Sequence, residues 1–394
     1  MSLHPVEGHE AIREALALAL HSNRLPAVLL LHGPQGVGKQ RLALWLGQLL
    51  VCTSPSGSGP CDECRECRLA LRLEHPNLHW YFPLPKPPGG GPKDRERERL
   101  QEARHEALEE IRHTPLRPSV GEASRKPSGL HLGTIRNLLH ETNRSASVRG
   151  RRLFVVADAE ELVSQDSATE AANALLKVLE EPPVDTWFVL TASVPGRLLP
   201  TITSRTMKLH VSPLPRDRVL SFLSRTVPHP ESEVRRAADL SGGSIGRALG
   251  FLPVDGEEGI LEGTRKDALR LLQAALEPRP GLRYTRALSF GAAGGRGLHE
   301  LLSMLASSLR DLAVIAAGLE DHLLDRSPAT VDWLRRTAER RHLHPFAVAR
   351  AISRVEEARE RAAGNVNPQL LVSGLLIDLN RDLLALQRER ATSA

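Results

Sequence analysis

Between residues 27 and 211 the chain alternates short, mainly apolar runs with amphipathic stretches. Residues 27–31 (AVLLL), 153–156 (LFVV), 187–191 (WFVLT) and 207–211 (MKLHV) each read as a strand. Runs with few polar alternate positions suit a parallel sheet covered on both faces. A glycine-rich turn follows the first run, and an amphipathic stretch from Gln40 to Val51 follows the turn, so the local order is strand, loop, helix. Ser167 and Glu170 predict a capping box for the helix AANALLKVLEE. That helix should stop at Pro182-Pro183, because proline disfavours a helical residue before it. Strands alternating with helices imply an α/β domain with a parallel sheet.

After Pro213-Leu214-Pro215 the pattern becomes helical only. Residues from about 214 to 255 read as a small helical unit ending in SGGSIGRALGF. Beyond it, Leu298, Leu301, Leu305, Leu309 and Leu312 recur at helical spacing, and NVNPQLLVSGLLIDLNRDLLAL closes the chain with an apolar helix. Two segments interrupt the α/β part. Residues 52–67 hold all the cysteines, and residues 83–130 read as a flexible insertion. Its PLPKPPGGGP run excludes regular structure, and its charged middle, RERERLQEARHEALEEIR, predicts one exposed helix. The expected organisation is therefore an α/β domain over 1–212, a helical unit over 213–258 and an all-α domain over 259–394.

A hydrophobic fraction of 41% and a charged fraction of 25% are those of a soluble protein. The apolar run ending at Leu20 is too short to span a bilayer, and no signal peptide is recognisable, so a cytoplasmic protein without membrane association is expected. The net charge of +5 permits contact with a nucleic-acid backbone without requiring it. An aromatic content of 3% argues against base stacking as a binding mode.

Gly33-Pro34-Gln35-Gly36-Val37-Gly38-Lys39-Gln40 has the G-x-x-x-x-G-K spacing of a P-loop, placed between a strand and a helix. Such a loop cradles phosphates with backbone N–H groups, its glycines allow close approach, and Lys39 would neutralise the β- and γ-phosphates. The next residue should carry a hydroxyl for Mg²⁺, and here it is Gln40. The second strand should end in an Asp-Glu pair, and here Ala157 and Asp158 stand in those places. Both substitutions weaken the Mg²⁺ site, so ATP or ADP can bind but Mg²⁺-supported hydrolysis should be slow or absent. Cys52-x₈-Cys61-x₂-Cys64-x₂-Cys67 suits a closed tetrahedral Zn²⁺ site with a structural role. A redox or adventitious cluster is the alternative. Ser204-Arg205-Thr206, before the last strand, gains meaning only from its position.

In combination, GPQGVGK, the four-cysteine spacing, NALLKVLEEPP and the downstream SRT resemble the bacterial clamp-loader ATPase family of DNA polymerase III, which includes the gamma/tau and delta-prime subunits. The resemblance covers about residues 5–67 and 132–250. It implies an AAA+ P-loop module, a helical lid and a helical collar that assembles a ring with gamma/tau and delta subunits. The ring places the sliding clamp on primer-template DNA. It also implies that Asn173 to Pro183 is a diagnostic stretch, that the cysteines bind zinc, and that Arg205 acts in trans as an arginine finger on a neighbour's ATP. Ser193 lies near the sensor-1 position, and Arg247 stands one residue beyond the sensor-2 position. With Gln40 and Ala157, these departures resemble delta-prime, a partner that donates its finger without hydrolysing ATP itself. Two other readings differ in kind. One is an active gamma/tau-like ATPase, motivated by Lys39. The other is a zinc-dependent DNA-binding protein, motivated by the basic run from Arg149 to Arg152.

Overall fold

A computed structural model describes residues 3–57, 59–85, 93–116, 128–144, 150–162, 168–289, 296–362 and 366–392. Residues 86–92 and 117–127 of the insertion, the Ser167–Glu170 capping box and Arg149 lie outside the residues or side chains so described. The chain divides into two compact units. The first holds the described residues up to Val227 together with Ser241–Leu249, and the second holds Pro228–Leu240 and the described residues from Gly250 on.

The first unit is built on a five-stranded sheet of β1 (Val28–His32), β2 (Leu78–Tyr81), β5 (Arg152–Val156), β6 (Thr186–Ala192) and β7 (Met207–His210), in the order β2-β5-β6-β1-β7. Every pairing is parallel. Successive side chains on a strand point to opposite faces, and the burial follows this alternation. Leu30, Phe154, Val156, Phe188 and Leu190 pack with Ile135 and Leu138 of α5 (Leu132–Asn143) and Leu175 and Leu179 of α6 (Ala168–Glu180). Leu29, Leu31, Leu153, Val155 and Val189 pack on the other face with Leu16 and Leu20 of α1 (Glu10–His21) and Leu42, Leu46 and Leu49 of α2 (Lys39–Val51). Each fully buried side chain of this size contributes about 1.5–3 kcal/mol.

The strands expected from the apolar runs are β1, β5, β6 and β7. The fifth, β2, was not expected: its sequence LHWY carries a histidine and sits at the sheet edge. The insertion differs from expectation at two places. Its helix, α4 (Lys93–His113), is packed rather than exposed, with Leu100 1% and Ile111 7% accessible. Arg112 of α4 donates to the carbonyls of Arg72 (3.0 Å) and Leu73 (2.9 Å) at the end of α3 (Arg65–Leu71), and Asn137 of α5 donates to the Arg97 carbonyl at 3.0 Å. Leu100 and Ile111 lie three turns apart on one helix face, an apolar stripe hidden among charges. In addition, Leu84–Pro85 (β3) pairs antiparallel with Ser128–Gly129 (β4), within a run read as irregular. Pro85 is tolerated because a two-strand ribbon leaves one edge without a ladder.

The second unit is helical. It includes α9 (Glu231–Leu240), α11 (Ile260–Ala275), α12 (Pro280–Ser289), α13 (Arg296–Ala316), α14 (Pro328–Arg340), α15 (Pro345–Ala362) and α16 (Pro368–Thr392). Leu298, Leu301, Leu305, Leu309 and Leu312 of α13 are all buried, as their spacing predicts. A buried ionic cluster joins α11 to the segment before α14. Arg265 donates to both carboxylate oxygens of Glu262 (2.7 and 2.9 Å) and to Asp325 (2.7 Å). No described helix is long and apolar enough to cross a membrane.

Candidate functional site

Strand order positions the candidate site. β1 delivers the P-loop, β5 delivers the acidic residues, and β6 lies between them. Gly33 leaves β1 with φ at 151°, and a Cβ there would stand 2.1 Å from the Val211 carbonyl oxygen, so only glycine fits. Gly38 precedes α2 in the left-handed region, φ 102°, which turns the chain into the helix. Val37 is buried and Gln40 is half-buried on the first turn of α2.

The loop is held by the rest of its own unit. The Gln35 carbonyl accepts from the Ser244 hydroxyl at 2.9 Å, the Gly36 carbonyl from the Gly246 N–H at 3.0 Å, and the Val37 carbonyl from His9 Nε2 at 2.8 Å. Ser244 also caps α10 (Ile245–Phe251), its oxygen accepting the Arg247 N–H at 3.1 Å. Lys39 is 4% exposed, and its ammonium donates to the carbonyls of Gly33 and Pro34, both at 2.8 Å, and to Ser193 Oγ at 2.9 Å. Burial lowers the Lys39 pKa, and the carboxylates of Asp158 and Glu160 oppose that shift. In this arrangement every ammonium proton is engaged by the chain itself.

Ala157 is fully buried, and its N–H continues the sheet ladder to the Tyr81 carbonyl at 2.8 Å. Asp158 takes the left-handed conformation, φ 49°, with its N–H on Thr191 Oγ1 at 3.1 Å. Thus the structure brings together the P-loop residues, Asp158 and Ser193. It also shows two contributors that the sequence reading did not single out. Glu160, 4% exposed, accepts the N–H groups of Ser193 (2.8 Å) and Val194 (3.4 Å) and so fixes the turn that presents Ser193 to Lys39. Ser244 is the other. Neither has a motif of its own, because each acts through backbone groups distant in the sequence.

Arg205 follows the short helix α7 (Pro200–Thr203) and is bound elsewhere. Its Nε donates to Glu180 Oε1 at 2.7 Å, its Nη2 donates to the same oxygen, and its Nη1 donates to the Thr201 carbonyl at 2.9 Å and to Ser204 Oγ at 3.3 Å. Arg152, the last residue of the basic run, is turned inward at 9% exposure and donates to the Arg144 carbonyl at 2.9 Å.

At the far end of α2 from Lys39, the four cysteine sulfurs lie within 4.8 Å of one another. Tetrahedral Zn–S bonds of about 2.3 Å place sulfurs roughly 3.8 Å apart. The Cys52–Cys61 and Cys61–Cys67 separations are 3.5 and 3.9 Å. Backbone N–H groups of Cys61, Cys64 and Cys67 point at the sulfurs of Cys52, Cys61 and Cys64 at 3.3, 3.4 and 3.3 Å. Such N–H···S contacts favour thiolate over thiol. For Cys64, burial raises the pKa, but hydrogen bonds from Thr53 and Cys67 outweigh it and bring the value to about 6. Burial pushes the Cys52 and Cys67 thiols up. Around the cluster, Gln48 of α2 donates to Asp62 at 2.7 Å, and Glu66 of α3 pairs with His75 at 3.0 Å. The donor set and its spacing fit one tetrahedral zinc ion.

Residues 8–215 match the family model described as DNA polymerase III, delta subunit. The chain is 26% identical over 373 residues to DNA polymerase III subunit delta' of Escherichia coli K12, covering 94% of this chain and 93% of that one. It is 27% identical over 331 residues to DNA polymerase III subunit tau of Salmonella typhimurium, covering 79% of this chain but only 43% of that protein. Among solved structures, a DNA polymerase III gamma subunit-related protein of Thermotoga maritima aligns over 93% of this chain and 99% of its own, with 16% identity and a TM-score of 0.38.

Proposed function

We propose, from the premise that this chain belongs to the DNA polymerase III delta-prime family, that it serves the clamp loader as a subunit that does not itself hydrolyse ATP and that lends Arg205 to a neighbour. The coarser part stands on the family: this is an AAA+ protein and a subunit of the DNA polymerase III clamp loader. The finer part is supported chiefly by one observation. The Lys39 ammonium is spent on Gly33, Pro34 and Ser193, while the guanidinium of Arg205 stands at the surface of the same unit. Gln40 offers no hydroxyl and Ala157 no carboxylate, so Mg²⁺ has few ligands here. ATP or ADP, if held, would lie along the N–H groups of residues 36–40, with Lys39 released from its present acceptors.

In this reading residues 213–258 serve as the lid and residues 259–394 as the collar that joins gamma/tau and delta subunits. The assembled ring then places the sliding clamp on primer-template DNA. Arg205 would approach the phosphates bound by the neighbouring subunit, where a guanidinium stabilises charge on the transferring group. Cys52, Cys61, Cys64 and Cys67 would hold zinc, which when bound supplies a closed structural cross-link and no open coordination position.

The test is ATP hydrolysis by the purified chain alone and by the reconstituted loader. The expected result is no intrinsic turnover, with loader turnover lowered for Arg205→Ala, because the one site it completes should lose about 10³-fold or more, while assembly on a sizing column is retained. Intrinsic turnover abolished by Lys39→Ala would instead establish a gamma/tau-like motor, the reading that intact Lys39 favours.

A further inference from the structure

Arg205 is not idle in the free chain. Its Nε and Nη2 groups form the edge of a guanidinium that grips carboxylates and phosphates two-pronged. That edge is occupied: both nitrogens donate to Glu180 Oε1. The remaining nitrogen, Nη1, is held by Thr201 and Ser204. A phosphoryl group approaching Arg205 by its two-pronged edge therefore meets a carboxylate already seated there.

Glu180 has no evident helical reason to be where it is. It is the last residue of α6, where the exposed carbonyls give the helix end a partial negative charge and an acidic side chain is unfavourable. The inward residues of that turn, Val178 and Leu179, supply the packing, while Glu180 is turned outward. Glu181 and two prolines follow, so the chain cannot extend the helix to relieve the clash of charges. The partner that offsets this cost is Arg205. Both side chains are substantially exposed, 34% for Arg205 and 47% for Glu180, so water and ions screen the pair and it can be exchanged readily.

We propose that Glu180 is an internal competitor for the anion that Arg205 engages: it parks the guanidinium in the free subunit and is displaced when a neighbour presents a nucleotide phosphate. The inference rests on the reading of Arg205 as a finger that acts in trans. Its function is a threshold. A carboxylate carries one charge, so a terminal phosphate bearing more charge displaces it, whereas a weaker anion does not. Parking also keeps a long side chain ordered at the position from which it acts.

The consequence follows from linkage. Whatever stabilisation the Arg205–Glu180 pair gives the free subunit opposes engagement by the same amount. An exposed pair of this kind is worth up to about a fivefold change in an equilibrium constant. In the reconstituted loader, Glu180→Gln keeps the shape and an acceptor but removes the charge. It is expected to lower the KM for ATP by about two- to fivefold, and Glu180→Ala to do the same. The gain should shrink as salt is raised, because salt already weakens the pair in the parent chain. In an Arg205→Ala background the Glu180 substitutions should change nothing, an outcome that a merely structural role for Glu180 would not produce. Circular-dichroism melting of each variant reports whether its fold is retained. If Arg205→Ala lowers loader turnover but Glu180→Gln leaves the KM unchanged or raises it, parking is overturned and the finger stands. If Arg205→Ala leaves loader turnover unchanged, the finger reading itself falls, and parking with it.

Discussion

His79 should make the first unit sensitive to mild acid, and the size of the effect can be worked from its surroundings. The imidazole lies on edge strand β2 and stacks on Phe154, with ring centroids 4.5 Å apart and planes 13° from parallel. Phe154 is fully buried between the sheet and its helices. Burial, aided by the charge of Arg104, lowers the His79 pKa from its ordinary 6.5 to about 4. Well above pH 6.5 the ring is neutral in both folded and unfolded chains, and the contribution to stability is complete. As the pH falls, the unfolded chain takes up the proton first, so stability is lost progressively until the folded form also protonates near pH 4. The full loss is about 3 kcal/mol, and between about pH 7 and about pH 5 it is about 2 kcal/mol. The assay is urea unfolding of the first unit at those two pH values, for the parent and for His79→Phe, which keeps the stacked ring and removes the titration. The parent should lose about 2 kcal/mol more than the variant over that interval. Parallel losses in the two proteins would refute the assignment of the effect to His79.

Two further outcomes can be checked with ordinary tools. Metal analysis of the purified chain should give one zinc per molecule, and Cys67→Ser should lose the metal and lower the melting temperature of the first unit; an equal metal content in that variant would exclude the four-sulfur site. Arg265→Ala should destabilise the second unit by about 3 kcal/mol, because it takes the guanidinium from the buried Asp325 carboxylate and leaves Glu262 with Arg236 alone as its cationic partner. A change below about 1 kcal/mol in its unfolding transition would mean that the cluster is open to water.

Much of the first unit was legible because buried parallel strands must be apolar on both faces. The runs at β1, β5 and β6 carry almost no polar residue, and each became a central or near-central strand. β2 escaped for the opposite reason: an edge strand can carry His79 and Trp80 half-buried. α4 was legible as a helix but not as a packed one, since Leu100 and Ile111 supply its buried contacts amid sixteen mostly charged neighbours in RERERLQEARHEALEEIR. In the candidate site, Gly33, Gly38 and Lys39 are visible because phosphate-binding loops constrain backbone and charge at fixed spacing. Glu160, Ser244 and Glu180 are not, because what each does depends on a partner 20 or more residues away (Ser193, Gln35 and Arg205), brought near only by the fold.

The helix α2 starts at Lys39 and is followed directly by Cys52. Its 13 residues make a stiff rod of about 20 Å. At the far end, the Gln48–Asp62 hydrogen bond and the packing of α3 against α2 hold that rod in place. A rod pinned at its distal end cannot roll about its own axis. The direction in which its first turn presents backbone N–H groups is therefore set partly at the cysteine module. Loosening the sulfur cluster would reach the loop that carries Lys39 only along this shaft, past Leu42, Leu46 and Leu49, which the core grips on the way.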